Sequence, residues 1–177
     1  MKHLILLIGF FIFSICITQY IHAQTSTSES ISQACSTPEF RQFDYWIGEW
    51  TVSNTEGNVI GSSKVSQISN GCALLEEWSS AQGNDGKSIN FYDSSIGQWR
   101  QTWVGGGGLI LDLEGEPIDG NMTLSQTRNT PQGSVTHRIT WTLLGDGRVE
   151  QKWDTSNDGG ETWRQSFVGF YERRDDS

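Results

Sequence analysis

Gln98-Trp99-Arg100-Gln101-Thr102-Trp103-Val104 is the stretch that decides how this chain is read. Side chains along a strand alternate between its two faces, so Trp99, Gln101 and Trp103 share one face while Arg100 and Thr102 share the other. The same alternation recurs on both sides of it. Over 72–79 it groups Leu74, Glu76 and Trp78; over 148–154, Val149, Gln151 and Trp153; over 162–171, Trp163, Gln165 and Phe167. Turn signals punctuate these segments at Glu56-Gly57, Asn70-Gly71, Asp85-Gly86, Ile96-Gly97, Gly105 to Gly108, Asp119-Gly120, Gln132-Gly133, Asp146-Gly147 and Gly159-Gly160. Such residues tolerate the positive φ that a hairpin reversal needs. The spacing predicts about ten strands of roughly 6–11 residues. The one helical candidate is the short stretch 38–45.

Ten antiparallel strands joined in sequence by tight turns form a meander. Left open, so wide a sheet would expose two edges that invite aggregation. Closure into an up-and-down barrel removes both edges. The expected fold is therefore all-β, a single antiparallel up-and-down barrel of about ten strands over 38–174. A β-sandwich is the alternative; a β-propeller needs a blade-length repeat that the chain lacks.

The ends suggest export. Lys2 precedes an apolar run at 4–17, shorter than the roughly 20 residues of a membrane span. Ile21-His22-Ala23 follows as a small-residue cleavage site, so 1–23 reads as a signal peptide and the protein as secreted or periplasmic. Ile15 before Cys16 is too bulky for a lipobox. A Ser/Thr-rich leader at 24–37 lacks any apolar period and reads as disordered, and 175–177 forms a tail. The chain carries 12 basic and 21 acidic residues, a net charge of −9. That field repels phosphate backbones, so nucleic acid is a poor partner. With the signal removed, Cys35 and Cys72 remain as an even pair in an oxidising compartment. If bridged, their loop of about 37 residues would stabilise the fold by about 3–4 kcal/mol on the chain-entropy model; two unrelated thiols are the alternative.

The chemistry resides in a repeated pair. A polar residue stands two places before an aromatic at Glu76-x-Trp78, Gln101-x-Trp103, Gln151-x-Trp153 and Gln165-x-Phe167. Apolar partners on these faces argue that they point into the barrel, where an unpaired polar group costs roughly 1–3 kcal/mol. Two readings stay open: a Trp-filled core with a buried polar network, or a small-molecule pocket of aromatic walls and a few convergent polar groups. On the pocket reading, Glu76, Trp78, Trp99, Gln101, Trp103, His137, Gln151, Trp153, Gln165 and Phe167 bind a small hydrophobic or amphipathic molecule.

No catalytic residues, metal ligands or cofactor are expected. His137 is the one histidine left after cleavage; it cannot build a zinc site alone, though it could serve as an axial haem ligand. Glu76 and Glu77 point to opposite faces and cannot act as an acid–base pair. A barrel enzyme using Glu76 as a base and a structural module of the cell envelope are the rival functions. The Gly105 to Gly108 run has no Lys and no following helix, which excludes a phosphate loop, and it reads as a hairpin tip at a barrel mouth.

Two stretches resemble known patterns. Phe43-Asp44-Tyr45-Trp46-Ile47-Gly48-Glu49-Trp50 is similar to the opening of the calycin superfamily, where a short helical turn leads into a Gly-x-Trp strand. That resemblance implies a C-terminal arginine, Arg173 or Arg174, stacked on Trp50. The run continues through Gly71-Cys72-Ala73-Leu74, Trp99-x-Gln101-x-Trp103-Val104 and Arg138-Ile139-Thr140-Trp141, and over some 130 residues it resembles the bacterial DUF1579 family. The resemblance implies a lipocalin-like barrel and brings no established activity. Ser156-Asn157-Asp158-Gly159-Gly160-Glu161-Thr162-Trp163 is similar to the Asp-box of sialidases, a turn-locking hairpin that carries structure and not catalysis.

Overall fold

The computed structural model describes residues 35–174. The expected signal peptide, most of the leader and the tail lie outside the described residues. The chain divides into a unit ending at Ser36 and a unit beginning at Thr37, and all ten strands belong to the second.

The strands are β1 (Gly48–Ser53), β2 (Val59–Ile68), β3 (Ala73–Ser80), β4 (Gly86–Asp93), β5 (Gln98–Gly105), β6 (Ile110–Ile118), β7 (Asn121–Thr130), β8 (Gly133–Leu143), β9 (Val149–Ser156) and β10 (Arg164–Arg173). Each pairs antiparallel with its sequence neighbours, and β1 pairs with β10 through Trp50 opposite Arg173. The barrel is closed, so the sandwich alternative is excluded. All nine reversals fall at or beside the turn signals read from the sequence. The one between β6 and β7 is a two-residue turn with Asp119 and Gly120 both at positive φ (51° and 81°), the backbone that matches the twist of a hairpin.

Up-and-down connectivity fixes which residues meet. Odd strands run from the end where the chain enters, which we call the floor, towards the other end, the mouth; even strands return. The connections at 81–85, 106–109 and 157–163 therefore ring the mouth. The floor is closed by two short 3-10 turns, Pro38–Arg41 and Asp44–Trp46, where the sequence predicted one helical stretch.

These turns insert Phe43 under the barrel. Its ring stacks on Trp46 at 4.9 Å and meets Trp99 and Trp141 edge-on at 5.6 and 5.1 Å. The Trp99 indole N–H is shared between Glu39 O (3.2 Å) and Gln42 Oε1 (3.1 Å), and the Tyr45 hydroxyl donates to Trp141 O at 2.9 Å. Four of the eight tryptophans (46, 50, 99 and 141) are thus spent on the floor, all essentially buried.

Arg173, not Arg174, covers Trp50: its guanidinium lies 4.4 Å from the ring and donates to Ile47 O at 2.8 Å. Gly48 makes that approach feasible, because a Cβ there would sit 2.4 Å from the arginine's Nη1. The Asp-box hairpin is locked as its pattern implied. Asp158 accepts from the Thr162 N–H (2.9 Å) and hydroxyl, and the Trp163 indole donates to Gly160 O at 3.0 Å. The Trp163 ring then packs under Arg138 at 3.8 Å. Cys35 and Cys72 are disulfide-bonded, which removes the unrelated-thiol alternative. Among the described residues no helix is long and apolar enough to cross a membrane.

Candidate functional site

Above the floor the barrel is not filled. A cavity of about 370 Å³ opens at the mouth, at the lower end of the range for small-molecule sites. Its residues lie in layers that follow from strand direction.

Trp78, Trp103 and Trp153 stand on the mouth side of Glu76, Gln101 and Gln151, because β3, β5 and β9 all run from floor to mouth. The polar-x-aromatic pair is thereby turned into an aromatic collar above a polar layer. Phe167 completes the collar, 6.2 Å edge-on from Trp78. Leu109, Leu111 and Ile139 supply aliphatic wall, and Asn84, Gly105 and Gly107 form the rim. The glycine run lies at the mouth as expected, tied to the neighbouring hairpin by the Gly106 N–H donating to Asp85 O at 2.6 Å.

The cavity exists because the collar rings lie flat against the wall. Gly86 on β4 leaves the space that the Trp103 indole occupies: a Cβ there would sit 2.3 Å from Trp103 Cζ2. Gly61 on β2 and Gly169 on β10 do the same for Trp78 and Phe167, at 2.7 and 2.8 Å. Glycine within a strand commonly marks such close approach. Gly86→Ala is expected to swing the Trp103 ring into the cavity. A crystal structure of the variant that shows the indole unmoved would contradict this account of how the space is made.

The polar layer holds a connected network on β2 to β5 and a separate pair on β9 and β10. Glu76 is 3 % exposed, and its two oxygens accept from Ser88 Oγ (2.8 Å) and Ser63 Oγ (3.3 Å). Asn90 Nδ2 donates to Ser88 Oγ at 2.9 Å, and Gln101 Nε2 donates to Asn90 Oδ1 at 2.7 Å. Across the cavity the Tyr171 hydroxyl donates to Gln151 Oε1. Burial, only partly opposed by the two serine hydroxyls, pushes the Glu76 carboxyl up to about 7. Burial and then the charge of Glu76 raise Tyr171 well above its ordinary value, so it stays a neutral donor.

Seven of the ten residues predicted from sequence line the cavity: Glu76, Trp78, Gln101, Trp103, Gln151, Trp153 and Phe167. Three do not. Trp99 faces inward but lies in the floor. His137 sits beside the collar, where its Nδ1 accepts the Trp153 indole N–H at 3.2 Å. Burial and the Arg128 charge lower its pKa. In the neutral ring this bond leaves the proton on Nε2, the wrong tautomer for a metal ligand at that nitrogen.

Gln165 is a correction: it is exposed, because the register slips between Gln165 and Phe167. The extra residue of a bulge reverses the facing of whatever lies beyond it. The sequence reading missed Tyr171 and the small polar residues Ser63, Ser88 and Asn90. Ser88 and Asn90 alternate on β4 with Tyr92, which packs against the core, so this face was open to detection by period alone and Asn90-x-Tyr92 repeats the polar-x-aromatic pair.

Among the described residues no group of three or more His, Cys, Asp or Glu is placed to hold a metal ion. The barrel's outer face also leaves Ile89, Val104 and Ile110 about half exposed. Compared with known proteins, no family model matches the chain, and no curated protein does.

Proposed function

We propose that the protein is an exported, calycin-type barrel of the DUF1579 kind that binds a small amphipathic molecule. The observation that carries this is the open cavity with an aromatic collar above a buried polar layer. The collar buries the ligand's apolar body, and Glu76, Gln101 and Gln151 fix its polar end. Export is supported by the signal-like N-terminus and by the disulfide, and calycin kinship by Arg173 on Trp50. The structural-module rival predicts a filled interior and an exposed apolar patch outside; the open cavity speaks against the first, while Ile89, Val104 and Ile110 on the outer face fit the second.

Trp103→Ala tests the reading. Losing one face of the collar is expected to weaken binding by about tenfold, roughly 1.4 kcal/mol, while cooperative unfolding persists. Quenching of the remaining tryptophan fluorescence during titration with a lipid, haem and metabolite panel measures it. An unchanged affinity, or no quenching by any compound in the wild type, counts against the pocket.

One observation favours a second reading, a barrel enzyme: Glu76 lies in an accessible cavity with its pKa near neutrality, as a general base requires. On that reading Glu76→Gln abolishes turnover of a bound compound while sparing its binding.

A further inference from the structure

Among the described residues Glu76 is the one acidic side chain lining the cavity, and no lysine or arginine is ion-paired with it. The flanking strands β2 and β4 present Ser63 and Ser88 to it. Their charged residues turn outward instead, where Lys64 pairs with Glu49 at 2.9 Å and Lys87 with Glu77 at 2.5 Å. A buried carboxylate with no positive partner is costly, and such groups are normally paired.

The nearest cavity amide adds to the imbalance. The Gln101 nitrogen is committed to Asn90 and to Ser88 Oγ (3.4 Å), which leaves its Oε1 as a second acceptor. Around both acceptors stand aromatic rings, whose faces carry negative quadrupole potential and attract cations. A net charge of −9 draws cations towards the protein as a whole.

We infer that the ligand is an organic cation, an amine with an apolar aromatic or alkyl body, whose ammonium sits between Glu76 and Gln101 beneath the collar. The inference rests on the reading of the cavity as a binding site. An ammonium offers three donors and a charge, and both acceptors and π faces suit it. A carboxylate ligand would meet Glu76 as a like charge, and an alcohol would leave that charge uncompensated.

The ligand's amine, with an ordinary pKa near 10.4, stays protonated through neutral pH, so the pH response belongs to the site. Tyr171, the other titratable group facing Glu76, remains neutral. Affinity for the amine should therefore rise by up to tenfold per pH unit towards pH 7 and level off above it. His137 beside the collar titrates below its ordinary value, and its contribution persists in a Glu76→Gln variant, which separates the two.

The test is calorimetric titration of a series of aryl-alkyl amines and their matched alcohols at pH 5.5 and 8. The expected result is an amine at least tenfold tighter than its alcohol at pH 8, with the advantage reduced at pH 5.5 and absent in Glu76→Gln. Equal or tighter binding of the alcohols at both pH values overturns the cation and leaves the pocket standing. Failure of every compound in both series overturns both. If Glu76→Gln does not fold, as read by near-UV circular dichroism, the wild-type comparison between the two pH values decides alone.

Discussion

Trp50→Ala is expected to destabilise the barrel by about 3–5 kcal/mol, the usual cost of emptying a buried tryptophan site. Several losses coincide at this residue. The ring is fully buried, its indole donates to Trp46 O at 2.9 Å, it meets Tyr171 edge-on, and Arg173 covers it. Truncation leaves a cavity between β1 and β10, the seam where the barrel closes, and strips the guanidinium of its platform. Urea denaturation measures the effect. A cost below about 1 kcal/mol, in the range of ordinary surface changes, would mean that the floor is not the fold's anchor.

Glu76→Gln is expected to become progressively stabilising as pH rises. The folded-state pKa of Glu76 is raised from 4.5 to about 7. Below about pH 4.5 the group is protonated in both states and contributes no penalty. Between 4.5 and 7 the unfolded chain releases the proton and the folded one keeps it, so the wild type loses stability by about 1.4 kcal/mol per pH unit. Above 7 the penalty is constant at about 3 kcal/mol.

Glutamine carries no such penalty, and its altered hydrogen bonds to Ser63 and Ser88 add an offset that does not depend on pH. The quantity to read is therefore the change in the stability difference between pH 4 and pH 8.5, expected near 3 kcal/mol in favour of the variant. Asp158 and the exposed carboxyls whose pKa values are lowered act equally in both proteins and cancel. Parallel stability curves would show that Glu76 is solvated, and the polar layer would lose its chemical meaning.

The fold was legible because its two determinants are local. Period-two alternation places Trp99, Gln101 and Trp103 inward, and Gly or Asx residues mark every reversal, so strand number and connectivity follow without long-range information. The site was legible in part, for a physical reason. A polar residue two places before an aromatic means deep before shallow only on strands that run from floor to mouth. On β3, β5 and β9 that holds. On β10 the direction is reversed, so Gln165 would stand mouthward of Phe167 even without the bulge, and the deep hydroxyl comes instead from Tyr171 further along.

The bulge itself has no signature in Arg164-Gln165-Ser166-Phe167. Trp163 lies in the locked hairpin, one residue before β10, and not on the strand. Nor does sequence show that Gly61, Gly86 and Gly169 hold aromatic rings against the wall, since each ring belongs to a neighbouring strand or to a position two residues away. That placement separates a cavity from a Trp-filled core, the two readings that composition left open.

Native mass spectrometry of the protein, set against its denatured mass, tests the occupied-cavity account most directly. The account predicts a mass excess that vanishes on denaturation, either in the purified protein or after incubation with the amine series, and that is reduced in Trp103→Ala. The bare polypeptide mass in every preparation, less two hydrogens for the disulfide, would contradict it and leave the barrel a structural body with an empty interior.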